Sequence, residues 1–344
     1  AALAALTYAV FMPFFQGQFA SFNIPYPAWY AVAAWLATQL ASVKAVENGS
    51  RAWLVGAGAL AGVAFSFKPN TGVLALGAAV LAQLLASAQL RGVLGRALEI
   101  LVLVVASVAV AATLTFDVIT PQFALLGGPL LALLIGGIWM RVAHVPPGEE
   151  RGVGAGLADA AALLAGFVGV TSAWLAYFLP RLGLGRFAEE VLLLGAGVER
   201  IYLLYFPRPS EWGVAVLCLL AFSVALPRLI ARGVLGTRAL VALGVALVVG
   251  GTVALTQFGL APEGLGVSIL MQLEVLSFHL VPLLLWAATL VVLWRLRSVE
   301  RRPGGALPRG LAVTLVSLVY ALLLFLQLYP RIDFMHVLIS LPSA

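Results

Sequence analysis

Charge is what this sequence has least of. Asp, Glu, Lys and Arg make up 10% of its 344 residues, whereas a soluble domain carries about 25%. So few charges cannot cover a water-facing surface of that size, which excludes a soluble globule. Cysteine occurs once, as Cys218, which excludes a disulfide framework and any zinc or iron–sulfur site built on cysteines. Heptads, solenoid repeats and low-complexity tracts are also absent.

In their place stand long apolar runs. Hydrophobic residues account for 62% of the chain, and the mean hydropathy is +1.07. A membrane-spanning helix needs about 20 mostly apolar residues. About eleven runs meet that need, the first of them truncated: 1–15, 27–43, 52–67, 71–90, 98–116, 123–140, 154–179, 212–225, 239–256, 275–294 and 311–328. They are rich in Leu, Ala and Val and lack the period-2 alternation of a lipid-facing barrel strand. The fold class is therefore all-α, a polytopic bundle of transmembrane helices.

The net charge is +6 with a pI near 9.8, yet the basic residues fall in short gaps between apolar runs and do not form a nucleic-acid patch. They read as topology signals, because cytoplasmic loops retain Lys and Arg. One set of alternate loops holds fourteen of the twenty, among them Lys44, Arg51, Arg151, Arg301 and Arg309. The other holds six: Lys68, Arg181, Arg186, Arg200, Arg208 and Arg331. The first set is expected to be cytoplasmic. Eight of the fourteen acids lie at or near the opposite, outer side, which makes that side the place to seek function. The chain opens without Met inside an apolar run and shows no signal-peptide features. It is expected to be one membrane domain over 1–344, a piece of a longer protein lacking at least the first span and the first outer loop.

Five outer segments hold the polar residues. Segment 16–27 is aromatic and suits an interfacial anchor. In 65–72, Lys68 opposes the positive-inside bias and stands beside Pro69, Asn70, Thr71 and Gly72. Either Lys68 snorkels to the interface, or it receives a phosphate at headgroup level. Segment 117–122 is a turn with Asp117 as an interfacial cap. Segment 180–211 carries an apolar stripe at Leu182, Phe187, Val191, Leu194 and Val198, as in a juxtamembrane amphipathic helix lying in the interface plane. It ends in Glu199, Arg200 and Tyr202, a docking surface for lipid headgroups. In the last segment, Arg331, Asp333 and His336 follow a span without charge. Asp333 and His336 share a face if the segment is helical, and ionisable groups at that depth are usually functional. A helix cap is the plainer alternative. Glu274 and His279 stand five apart, which does not suit a shared metal, and His144 falls on the cytoplasmic side, so the three histidines cannot form one metal centre.

Two stretches carry a family resemblance. The run from Arg51 and Trp53 through Gly62 to Lys68, Pro69, Asn70, Thr71 and Gly72 resembles a recurring stretch of polytopic GT-C glycosyltransferases, in which a Gly-rich span ends in Lys and a short turn. The segment Tyr329, Pro330, Arg331, Asp333, His336 is similar to the Arg-x-Asp-x-x-His segment of bacterial GT-C transferases in the protein mannosyltransferase and aminoarabinose transferase group. The resemblance implies a multi-pass protein of the bacterial inner membrane with an active site on the outer leaflet. It implies inverting transfer of a hexose or pentose from a polyprenyl-phosphate carrier to a lipid, glycan or protein. Lys68, Asn70, Arg331, Glu199, Arg200 and Tyr202 are then substrate-binding candidates, with Asp333 and His336 as catalytic ones. The family's catalytic acid usually lies in the first outer loop, and segment 16–26 has no Asp or Glu, so the general base is expected in the missing part. No cofactor is read from the residues, a divalent metal stays open, and the oligomeric state is unknown. An O-antigen ligase or polymerase is one alternative, calling for a large Arg-rich outer loop. A secondary transporter is another, calling for midplane charges and an internal repeat.

Overall fold

The computed structural model describes residues 27–114, 123–143, 150–189, 265–298 and 307–326. Among them every regular element is helical, and the one β-type pairing is an isolated bridge between Leu90 and Arg151. The chain divides into two compact units, Ala1–Tyr205 with Leu284–Ala344, and Phe206–Leu283. In the second unit the described residues are the first part of one helix, 265–283. All that follows concerns the first.

Eight of the eleven apolar runs form helices, and with one short helix outside the runs the described residues hold nine α-helices. These are α1 (Pro27–Asn48), α2 (Arg51–Phe67), α3 (Pro69–Ala86), α4 (Gly92–Leu114), α5 (Gly128–Ala143), α6 (Val153–Leu182), the short α7 (Leu184–Phe187), α8 (Leu265–Ser298) and α9 (Arg309–Leu326). A π-helical turn, Phe123–Gly127, leads into α5. Runs 1–15, 212–225 and 239–256 lie outside the described residues. Five of the described helices are long and apolar enough to cross a membrane: α3, α4, α5 with its leading turn, α6 and α9. Their outer faces agree with that. α4 exposes Val93, Leu101, Val105 and Val108, and α6 exposes Leu157, Leu164 and Val168. Contiguous apolar surface of this kind is a liability in water and what a helix facing lipid requires. The protein is a multi-pass membrane protein.

Small residues set the packing. Gly58 and Gly62 stand four apart on α2, so both lie on one face. A Cβ on Gly58 would strike the Leu163 carbonyl of α6, and one on Gly166 would strike the Val55 carbonyl of α2. The two helices therefore touch backbone to backbone, the arrangement that small-xxx-small spacing permits between membrane helices. They run parallel, since Arg51 pairs with Asp159 at one end and Phe65 meets Trp174 at the other. α9 is the central helix. Twelve of its eighteen residues are buried, and it runs antiparallel to α1, with Tyr320 edge-on to Trp35 and hydrogen-bonded to Ser42 at 2.8 Å.

The bundle has one strongly ionic end. Lys44, Glu47 and Arg309 pair there, as do Arg51, Asp159 and Arg151, and Arg96 with Glu150. This is the loop set that the sequence marks as basic. Arg141, expected in the loop after run 123–140, differs from its neighbours. It lies inside the bundle at 1% exposure, with Nε 3.2 Å from Glu99 of α4 and Nη2 donating to the Leu84 carbonyl at 2.6 Å. A guanidinium enclosed near the end of a spanning helix can be kept there by a carboxylate and a carbonyl.

Candidate functional site

Lys68 sits at the opposite end, at the junction of α2 and α3, where it closes one helix and opens the next. Its backbone is extended (φ −151°, ψ 99°). Its N–H donates to the Ala64 carbonyl at 2.8 Å, and its carbonyl accepts from the Gly72 N–H at 3.1 Å. Each following residue serves this one-residue turn. Pro69 occupies the first position of α3, where its missing N–H costs nothing. The Asn70 carbonyl oxygen Oδ1 accepts from the Thr71 N–H at 2.9 Å, satisfying a donor at the helix start. Thr71 is buried. Gly72 lies so close to the backbone of Phe65 that any side chain would collide with it. The Lys-Pro-Asn-Thr-Gly stretch is thus a tight α2–α3 hairpin that fixes where Lys68 begins. The Lys68 side chain is half-buried and Asn70 is exposed.

Aromatic rings surround this end. Tyr30 of α1 stacks on Phe67 with centroids 5.2 Å apart. Phe65 meets Phe167 and Trp174 of α6 edge-on at 5.6 and 5.5 Å. Trp174 in turn contacts Phe178 and Phe187. Arg181 lies 3.8 Å over the Tyr177 ring and donates to the Tyr177 carbonyl at 2.6 Å, which ties this cation to its own helix. Rings with one apolar and one wettable side belong at the headgroup boundary. Sequence reasoning passed over this α6 group, although Trp174, Tyr177 and Phe178 at the end of run 154–179 were a visible signal.

Of the site residues expected from sequence, the described structure holds Lys68 and Asn70, two positions apart on one junction. Glu199, Arg200, Tyr202, Arg331, Asp333 and His336 lie outside the described residues. Of the interfacial helix expected over 180–211, the described part is α7 and the residues up to 189; Gly183 (φ 73°) ends α6, and Phe187 is buried against Trp174. α9 starts at the ionic end, where Arg309 meets Glu47, and runs toward the Lys68 end. Leu326 therefore arrives at the Lys68 end five residues before Arg331. Among the described residues no three His, Cys, Asp or Glu side chains come together as metal ligands.

Chemically, the junction places one ammonium, on a flexible stem, at the end of the bundle where the aromatic rings gather. That suits an anionic group of an amphiphile: charge to Lys68, hydrocarbon to the rings and the neighbouring lipid. No curated protein and no solved structure matches the chain. The model of the dolichyl-phosphate-mannose-protein mannosyltransferase family does match, over residues 1–116, which takes in α1 to α4 and the Lys68 junction. That match supports the GT-C superfamily and a glycosyltransferase.

Proposed function

We propose that this protein transfers a sugar from a polyprenyl-phosphate carrier to a lipid, glycan or protein acceptor on the outer face of a bacterial inner membrane. The observation that carries the reading is the Lys68 junction, a lysine fixed by its backbone at one end of the bundle, within the stretch that the mannosyltransferase family matches. In an inverting transfer, a carboxylate removes the proton from the acceptor hydroxyl. The hydroxyl oxygen attacks the sugar's anomeric carbon from the face opposite the phosphate, forming the new glycosidic bond. The bond from that carbon to the phosphate oxygen breaks, and polyprenyl phosphate leaves with the electron pair. Negative charge grows on the departing phosphate, so a cation fixed beside it lowers the barrier. Lys68 is that cation, with Asn70 beside it.

Arg331 joins Lys68 in holding the phosphate through a bidentate guanidinium contact. What supports this is the direction of α9, whose last described residue arrives at the Lys68 end. Asp333 and His336 then contact the sugar or the acceptor, and Glu199, Arg200 and Tyr202 bind the headgroup region of the carrier. The test is transfer of radiolabelled sugar from a polyprenyl-phosphate donor by the purified full-length protein. Incorporation into an extractable lipid, glycan or protein product supports the reading. Solute accumulation in proteoliposomes with no donor-dependent transfer would replace it with a transporter.

A further inference from the structure

A second site lies at the ionic end, away from Lys68. A cavity of about 590 Å³ opens between the C-terminal ends of α1 and α3 and the N-terminal ends of α2, α6 and α9. Arg51, Arg151 and Arg309 line it, with Glu47 and Asp159 between them. Three guanidinia face two carboxylates there, and Lys44, 3.0 Å from Glu47, adds a further positive charge. The hydrogen bond from Arg309, and next that from Lys44, hold the Glu47 carboxyl below the usual carboxylate range. Four basic side chains against two acidic ones leave the excess charge positive. Helix ends add little to the sign, since two of the three N-termini are offset by the two C-termini.

The arginines are also incompletely used. Arg51 gives Nε to Asp159 at 3.0 Å, and Arg309 gives Nε to Glu47 at 2.6 Å. Their side chains remain 57% and 72% exposed, and neither Nη group of either residue is engaged among the described residues. A carboxylate that takes Nε and leaves the planar fork open orients the guanidinium for a second anion, and a guanidinium fork fits the oxygens of a phosphate. The place suits such a partner. α2, α3 and α9 each span roughly 25–27 Å at about 1.5 Å per residue, close to the thickness of the hydrocarbon core. Helices of that length end near the edge of the hydrocarbon core, from which a long arginine side chain can reach lipid phosphates.

The geometry points to a phosphate-binding site in this cavity, formed by Arg51 and Arg309 and oriented by Asp159 and Glu47. Its ligand is a phosphate ester, supplied either by the headgroup of an anionic phospholipid in the leaflet at that end or by a soluble phosphate compound. The site does not depend on the glycosyl-transfer reading, and its test does not read transfer.

The full chain is purified in detergent with phosphatidylglycerol or phosphatidylcholine, and retained lipid is counted by native mass spectrometry with and without millimolar inorganic phosphate. Phosphatidylglycerol is expected to be retained over phosphatidylcholine, and the double variant Arg51→Gln, Arg309→Gln is expected to lose at least tenfold in retention. Displacement by inorganic phosphate assigns the site to a phosphate of either source; resistance to it assigns the site to the lipid. Arg96→Gln removes one charge from the same end outside the cavity and is expected to leave retention unchanged. Arg309→Lys, which keeps the charge and loses the fork, guards against misfolding and is expected to fall in between. Equal retention of the two lipids, unchanged by inorganic phosphate, overturns the proposal, as does an Arg96→Gln loss equal to that of the double variant.

Discussion

Two cations illustrate how differently single residues are used here. Lys68 stands at a helix junction, half-buried, with backbone bonds to Ala64 and Gly72 that fix its position. Arg141 is enclosed and answers to Glu99 and the Leu84 carbonyl. Taking away one member of an enclosed pair strands the other, at a cost of about 3–5 kcal/mol, whereas replacing both by apolar residues can be nearly neutral. Glu99→Leu alone is therefore expected to lower the thermal unfolding midpoint of the detergent-solubilised protein markedly. Glu99→Leu with Arg141→Met is expected to recover most of that loss. Equal midpoints for the single and double variants would remove the pair from the account. Lys68 could be picked out in the sequence, because a lone cation in an outer loop violates a bias. The Glu99–Arg141 pair could not, since its partners are 42 positions apart, Glu99 inside one apolar run and Arg141 just past the end of another.

At the scale of elements, contact between α2 and α6 rests on residues without side chains. Gly58 and Gly166 leave no room for a Cβ, whereas Gly77 on α3 has nothing within 4 Å of the place where one would be. Gly58→Val is expected to push α2 from α6 and cost about 1–3 kcal/mol or more, as overpacking does. Gly77→Ala is expected to be neutral. Thermal stability of the two variants side by side checks this, and equal values would contradict backbone-to-backbone packing. Most of the helices could be read from apolar run length to within about six residues, because bilayer thickness fixes that length independently of tertiary contacts; α8 is the exception, beginning at Leu265, ten residues before its run. Their partners could not. Nothing local in α9 says that it is the central helix, and Gly58 and Gly62 show only that some helix comes close, not that α6 does. Of the site, sequence pattern reached Lys68 and Asn70, but not the ring cluster from α6, because Trp174 lies 106 positions beyond Lys68 in the chain.

The described helices of the first unit form a bundle with two unlike ends. Lys44, Arg51, Arg151 and Arg309 gather at one, while Lys68 stands among aromatic rings at the other. Fourteen basic residues against six predict that the richer end is cytoplasmic. In a Cys218→Ala background, Ser50→Cys and Asn70→Cys mark the two ends of α2 and the start of α3. A membrane-impermeant thiol reagent applied to intact cells is expected to label position 70 and to reach position 50 only after the membrane is opened. Labelling of both from one side would contradict a spanning α2–α3 hairpin. Labelling of position 50 alone would invert the sidedness and move the proposed transfer to the other leaflet.

The most direct test of the central claim, that Lys68 holds the phosphate of the lipid carrier as it departs, is the rate of sugar transfer by Lys68→Ala in the full-length protein. Loss of one preorganised contact to developing charge lowers turnover by about 10²–10³-fold, so that fall is expected with unfolding temperature unchanged and with partial recovery in Lys68→Arg. Wild-type turnover in Lys68→Ala would contradict the account and leave Lys68 as a snorkelling residue at a helix junction.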